Sequence, residues 1–190
     1  MAKKRGVRIT IVVEDEALER FTRNVLMAIG FSRHELTVSP YPVGRGSAKD
    51  WVDQQYVAEV RKLRARPGEN VGLVVGTDAD ELTLPARHSR LAESLTRAAV
   101  AARKTDERIV LWIPKWNVET WILWLTGDMH DENGVLRGED KNYKHQAKNP
   151  DFAAVAGQFI DQYRAIRDGK PVPTLPSLNA AYVETQRLKL

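Results

Sequence analysis

Cysteine is absent from this 190-residue chain. That excludes a disulfide framework, a zinc ribbon and a cysteine nucleophile. Long hydrophobic runs are absent as well: after the basic start Met1-Ala2-Lys3-Lys4-Arg5-Gly6, the apolar stretch reaches only Val13 before it meets acid. Such a run is too short for a membrane span and is not a signal peptide, so the expectation is a cytoplasmic protein with no membrane attachment. Charge of one sign is in small excess, at a net +4 and a pI near 9.4, which permits a nucleic-acid partner without requiring one. The four histidines, His34, His88, His130 and His145, show no metal-ligand spacing. The glycine loop Gly44-Arg45-Gly46-Ser47-Ala48-Lys49 lacks the P-loop spacing, and prolines close the strand ahead of it. Short internal repeats and low-complexity tracts are not found.

What is present is a core. At 21.5 kDa and 43% hydrophobic residues the chain fits one domain with a small appendage. Val7–Val13 reads as a first strand, ending at Glu14-Asp15-Glu16. Leu18, Phe21, Val25, Leu26 and Ile29 then recur at helical spacing, and Gly30 stops the helix. A short strand at Glu35–Ser39 follows, then a helix marked by Val52, Tyr56, Val60 and Leu63. Asn70–Gly76 reads as a strand buried on both faces. Leu91, Leu95, Ala98 and Ala102 mark the next helix, and Arg108–Ile113 a fourth strand. Asn117 is placed to cap a helix over Val118–Leu125. Strands alternating with helices predict an α/β fold, a Rossmann-like, mainly parallel sheet flanked by helices. Residues 1–126 form that core. Residues 127–190 are expected to be a loop and helical extension packed on it, with helices around Phe152–Tyr163 and Asn179–Leu188 and the proline-rich link Lys170–Pro176 between them.

The stretch with most chemistry is Gly76-Thr77-Asp78-Ala79-Asp80-Glu81. On extended chain the side chains of Asp78 and Asp80 point to one side, so their carboxylates can converge on a cation. Mg²⁺ suits such a site, because it is held by one or two carboxylates plus water and phosphate oxygens. In an open parallel sheet ligands sit outside the carboxyl ends of the strands. If the first and third strands are neighbours, Glu14 and Asp15 join Asp78 and Asp80 there. Acids after a strand also cap the following helix, so both readings stand at this point. The same holds for Glu119, in the first turn of the helix after strand four. It either completes the acidic site or complements the helix dipole. Arg45 and Lys49, ahead of a helix, and Lys141, Lys144, His145 and Lys148, in a late polar stretch, are candidate phosphate contacts or solvated loop charges. Lys115, after strand four, joins the candidate contacts. Trp112, Trp116, Trp121 and Trp124 read as core and edge packing rather than as a base-stacking platform.

Val12-Val13-Glu14 after one strand and Asp78-Ala79-Asp80 after another resemble the Toprim domain of topoisomerases, primases and OLD-type nucleases. Ile113-Pro114-Lys115-Trp116-Asn117-Val118-Glu119-Thr120-Trp121 is similar to a segment of small stand-alone Toprim proteins of bacterial anti-phage systems. The resemblance covers about residues 7–126. It implies Mg²⁺- or Mn²⁺-dependent phosphodiester hydrolysis of DNA or RNA. Glu14, Asp78 and Asp80 would be catalytic, and Glu14, Asp15, Asp78 and Asp80 would be metal ligands. Toprim domains usually carry Gly after the first Glu, where this chain has Asp15, so either acid could hold the first role. An ATPase partner, or self-association into a homo-oligomer, is compatible with the same resemblance. The alternatives are a non-catalytic Toprim-like binding subunit and a divergent receiver-like Mg²⁺-binding domain. Against the receiver, the separation of Asp15 from Asp78 is too long for short βα connections, and no receiver-type turn follows Asp78.

Overall fold

Four short apolar runs pair as one parallel sheet in a computed structural model that describes residues 6–40, 48–127, 132, 147 and 150–189. The strands are β1 (Arg8–Val13), β2 (Leu36–Val38), β3 (Val71–Gly76) and β4 (Ile109–Trp112), in the order β2-β1-β3-β4. Helices follow them: α1 (Glu16–Ile29), α2 (Ala48–Arg64), α3 (Leu84–Arg97), α4 (Val118–Leu125), α5 (Phe152–Arg167) and α6 (Pro176–Thr185). The α/β class expected from the alternation of strands and helices is the observed one.

Side chains alternate across the sheet with period two, and each face has its own core. Ile9, Ile11, Val13, Val74, Val110 and Trp112 face α1, α4, α5 and α6. Val12, Leu73, Val75, Ile109 and Leu111 face α2 and α3. The chain therefore leaves β1 towards one face and β3 towards the other. The strand order reverses between β1 and β3, which makes their carboxyl ends the switch point of the sheet, where an open α/β fold has its crevice.

One glycine lets the layers approach and another ends a helix. A Cβ on Gly76 would lie 2.8 Å from Leu18 Cδ2, so the bare backbone at the end of β3 admits the first turn of α1. Gly30, at φ 119, ends α1 in the left-handed conformation, and its N–H bonds back to Leu26 and Met27.

Two helices differ from the sequence reading. The helix expected to run through Ala102 ends at Arg97: Ala99 is left-handed at φ 53, and the Val100 N–H closes onto the Leu95 carbonyl. It also starts earlier, where Thr83 caps it and Pro85 occupies the first turn. Helix α2 already begins at Ala48, so Lys49 sits on its first turn rather than in a loop.

The C-terminal helices complete the core and close the sheet's edge. Phe21 of α1, Trp112 of β4 and Phe159 of α5 form an aromatic cluster with ring centroids 5.5–6.1 Å apart, and Tyr182 of α6 packs against Phe159 with tilted rings at 4.7 Å. The outer edge of β4 is exposed to pairing with another strand unless something covers it. Glu184 of α6 does so, accepting the Leu111 N–H at 3.0 Å while Arg103 grips the same carboxylate. At the other end of α6, buried Glu132 accepts the Ser177 N–H at 3.0 Å, satisfying a first-turn donor. Glu184→Ala strands the Leu111 N–H and leaves Arg103 with the Ile109 carbonyl but no carboxylate. It is expected to cost about 1–2 kcal/mol in urea unfolding and to expose an edge that aggregates.

Candidate functional site

Strand register builds the site. Val13 of β1 pairs with Gly76 of β3, so one step further along each chain brings Glu14 opposite Thr77. There the Glu14 carboxylate bridges the strand ends. Its Oε1 accepts the Asp78 backbone N–H at 2.9 Å, and its Oε2 accepts the Thr77 hydroxyl at 3.1 Å. The β3–β4 contact continues past the strands, with the Thr77 N–H donating to Trp112 O at 3.2 Å and the Ala79 N–H to Pro114 O at 2.8 Å. Residues 77–79 are thus held by neighbouring chain on both sides although they lie beyond the strand.

Asp78 is buried. Burial is the main reason its carboxyl is pushed well above the ordinary carboxylate range; the charges of Glu14 and Asp15, a hydrogen bond to Glu14 and the charge of Glu119 push the same way. Of these acids, Glu14 bonds directly to this strand end, and Asp15 and Glu119 act on Asp78 through their charge. Asp15 has a second occupation. It is the N-cap of α1, and its Oδ1 accepts the Leu18 N–H at 2.8 Å. Of the two acids after β1, Glu14 is the one tied to Asp78.

Asp80 does not follow the extended-chain expectation. It adopts the left-handed conformation at φ 51, and its side chain is half exposed while that of Asp78 is buried. Its carboxylate pairs with the Lys49 ammonium from α2. That lysine is held below its ordinary pKa chiefly by burial, and also by Arg87 and Arg90, with the charges of Glu14 and Asp78 opposing. Lys115 is aimed at the same turn, donating to the carbonyls of Asp80 and, at 2.9 Å, Leu82, with its ammonium 3.9 Å from the Trp116 ring centroid. Arg45, Lys141 and Lys144, with His145 and Lys148, lie outside the described residues.

A second layer was not anticipated from the sequence. Arg87 of α3 is 1% exposed. It donates to the Thr77 hydroxyl at 2.7 Å and pairs with buried Asp53 of α2 at 3.0 Å. Arg90 meets Asp53 from the other side, also at 3.0 Å. One sequence signal points to it: Arg87 lies four residues before Leu91 and eight before Leu95, on the face of α3 that is buried.

No family model matches this chain, and neither a curated protein nor a solved structure matches it. What the site can do is therefore read from its own chemistry. Its donors are carboxylate oxygens, which suit hard cations such as Mg²⁺ and Mn²⁺. Among the described residues no group of three or more His, Asp or Glu side chains is placed to hold a metal ion. The acids stand as a Glu14–Asp78 pair and an Asp80 held by lysine. Nor is any helix among the described residues long and apolar enough to cross a membrane.

Proposed function

We propose that this protein is a metal-dependent phosphodiesterase of Toprim type that acts on nucleic acid. The observation that carries the reading is the Glu14–Asp78 pair at the carboxyl ends of β1 and β3, the switch point of the sheet. A buried carboxyl hydrogen-bonded to Glu14 and disfavoured by the charges of other acids is an environment that a divalent cation relieves. Glu14 and Asp78 would hold the ion, with Asp80 joining them once Lys49 lets go of it. A bound Mg²⁺ or Mn²⁺ would activate a water and offset charge on the phosphoryl oxygens. Lys49 and Lys115, both already at the Asp80 turn, are suited to bind the phosphates of the nucleic-acid backbone. A bacterial defence system and an ATPase partner follow from the resemblance alone, and a cytoplasmic setting from the short N-terminal apolar run; all three belong to the same proposal.

A second reading has one observation in its favour. Lys49 already supplies a cation to Asp80, which suits a non-catalytic subunit that binds a nucleotide or a partner and leaves catalysis to it.

The test is direct. Wild-type protein incubated with single- and double-stranded DNA and RNA is expected to cleave at least one of them with Mg²⁺ or Mn²⁺ and none with chelator. Glu14→Gln and Asp78→Ala are expected to remove that cleavage. Wild-type protein that cuts none of the four substrates with either metal would rule out the hydrolytic reading and leave the binding subunit.

A further inference from the structure

The Glu14 carboxylate is held by a relay that begins 1% exposed in the protein interior. Arg87 is a donor only, since a guanidinium has no acceptor. Its Nη2 donates to the Thr77 hydroxyl oxygen at 2.7 Å, and that hydroxyl has a single hydrogen. The hydrogen is therefore directed away from Arg87, to Glu14 Oε2 at 3.1 Å. The other Glu14 oxygen takes the Asp78 N–H at 2.9 Å. Both oxygens are thus acceptors of fixed direction, and the carboxylate can neither rotate nor swing away without breaking a bond. Asp53 lies on the far side of Arg87 as an ion pair at 3.0 Å, and Arg90 meets the same carboxylate at 3.0 Å. Four elements, α2, α3, β3 and β1, are joined in this one chain of contacts.

We propose that Arg87 and Thr77 are positioning residues of the acid site, locking the Glu14 carboxylate against the Asp78 backbone so that the cation meets a carboxylate already in place. The part of this concerning a cation rests on the function proposed above; the part concerning Glu14 does not. Outer partners of this kind orient metal-binding carboxylates, and their loss typically weakens metal binding about 10- to 100-fold.

Removing Arg87 itself threatens the fold, so the informative variants are Thr77→Val, which keeps the shape and loses the hydroxyl, and Thr77→Ser, which keeps the hydroxyl. Two readouts are needed: amide hydrogen exchange at Asp78, whose N–H is bonded to Glu14, and titration with Mn²⁺ alone. In Thr77→Val the Asp78 amide is expected to exchange roughly tenfold faster relative to Ile11 and Val74, which report the sheet interior. Mn²⁺ affinity is expected to fall about tenfold or more. Thr77→Ser is expected to restore both. If Asp78 keeps its protection in Thr77→Val relative to those strand amides, Thr77 does not hold Glu14 and the proposal is overturned. If the exchange effect appears but wild-type protein binds no Mn²⁺, the positioning of Glu14 stands and the metal reading falls.

Discussion

Asp78→Asn is expected to give a protein that is more stable than wild type at neutral pH without metal, and inactive as a hydrolase. The folded-state carboxyl of Asp78 lies well above its value in the unfolded chain, because burial and the neighbouring acids disfavour its charge. The folded protein therefore keeps a proton that the unfolded chain has already released. Stability from this group is full below the ordinary carboxylate range and is lost as pH rises through the folded value. At neutral pH the wild-type protein bears the strain of a buried acid among acids, and the neutral amide removes it. The gain is about 1.4 kcal/mol for each tenfold difference in acidity between the folded and unfolded states, and each kcal/mol is roughly 2–4 °C in Tm for a chain of this size. Melting curves between pH 4 and 8 check this: the difference between variant and wild type should grow with pH and vanish at the acid end. Cleavage should fall by roughly 10²–10³-fold, as when a group that stabilises transition-state charge is removed. Mn²⁺ should shrink the variant's advantage, because an ion at a hundred times its Kd adds about 2.7 kcal/mol to the folded wild type and a site about tenfold weaker gains about 1.4 kcal/mol less.

Arg87→Met has the largest expected effect on folding. The substitution leaves Asp53, with a side chain 8% exposed, facing a thioether, and takes from Thr77 the donor that orients its hydroxyl. Breaking a buried ion pair from one side costs about 3–5 kcal/mol, because the other charge stays behind. Arg90 remains within 3.0 Å of Asp53, which argues for the lower end of that range. The expected outcome is a loss of about 3 kcal/mol in urea unfolding. Asp53→Leu added to Arg87→Met should recover most of that loss, since the orphaned carboxylate is gone. A loss confined to Arg87→Met, with no recovery in the double variant, would place the effect in packing rather than in charge.

The fold was legible because its signals are periodic. Val7–Val13 and Asn70–Gly76 are apolar strands bounded by polar residues, and the helix around Phe21, Val25 and Leu26 repeats at helical spacing. Glu14, Asp15, Asp78 and Asp80 could be proposed because they follow those strands directly, and the parallel register of β1 with β3 brings Glu14 to Thr77 and Asp78. What each acid does was not legible. Asp15 caps α1, and Asp80 turns out of line because its backbone is left-handed, which no side-chain pattern announces. Lys49 was open between loop and contact because the start of α2 carries no apolar marker before Trp51. Arg87 and Asp53 were hidden for a different reason. A lone charge on an amphipathic helix reads as solvent-facing, and only the meeting of α2 with α3 at the end of β3 pairs these two inside the protein.

Binding of Mn²⁺ measured by electron paramagnetic resonance on wild type, Glu14→Gln and Asp78→Asn, with Mg²⁺ as competitor, bears most directly on whether β1 and β3 deliver their acids to one cation. A shared site predicts bound Mn²⁺ in the wild type, displaced by Mg²⁺, and at least roughly tenfold weaker binding in each variant. Equal Mn²⁺ binding by all three proteins, or none by the wild type, would contradict it.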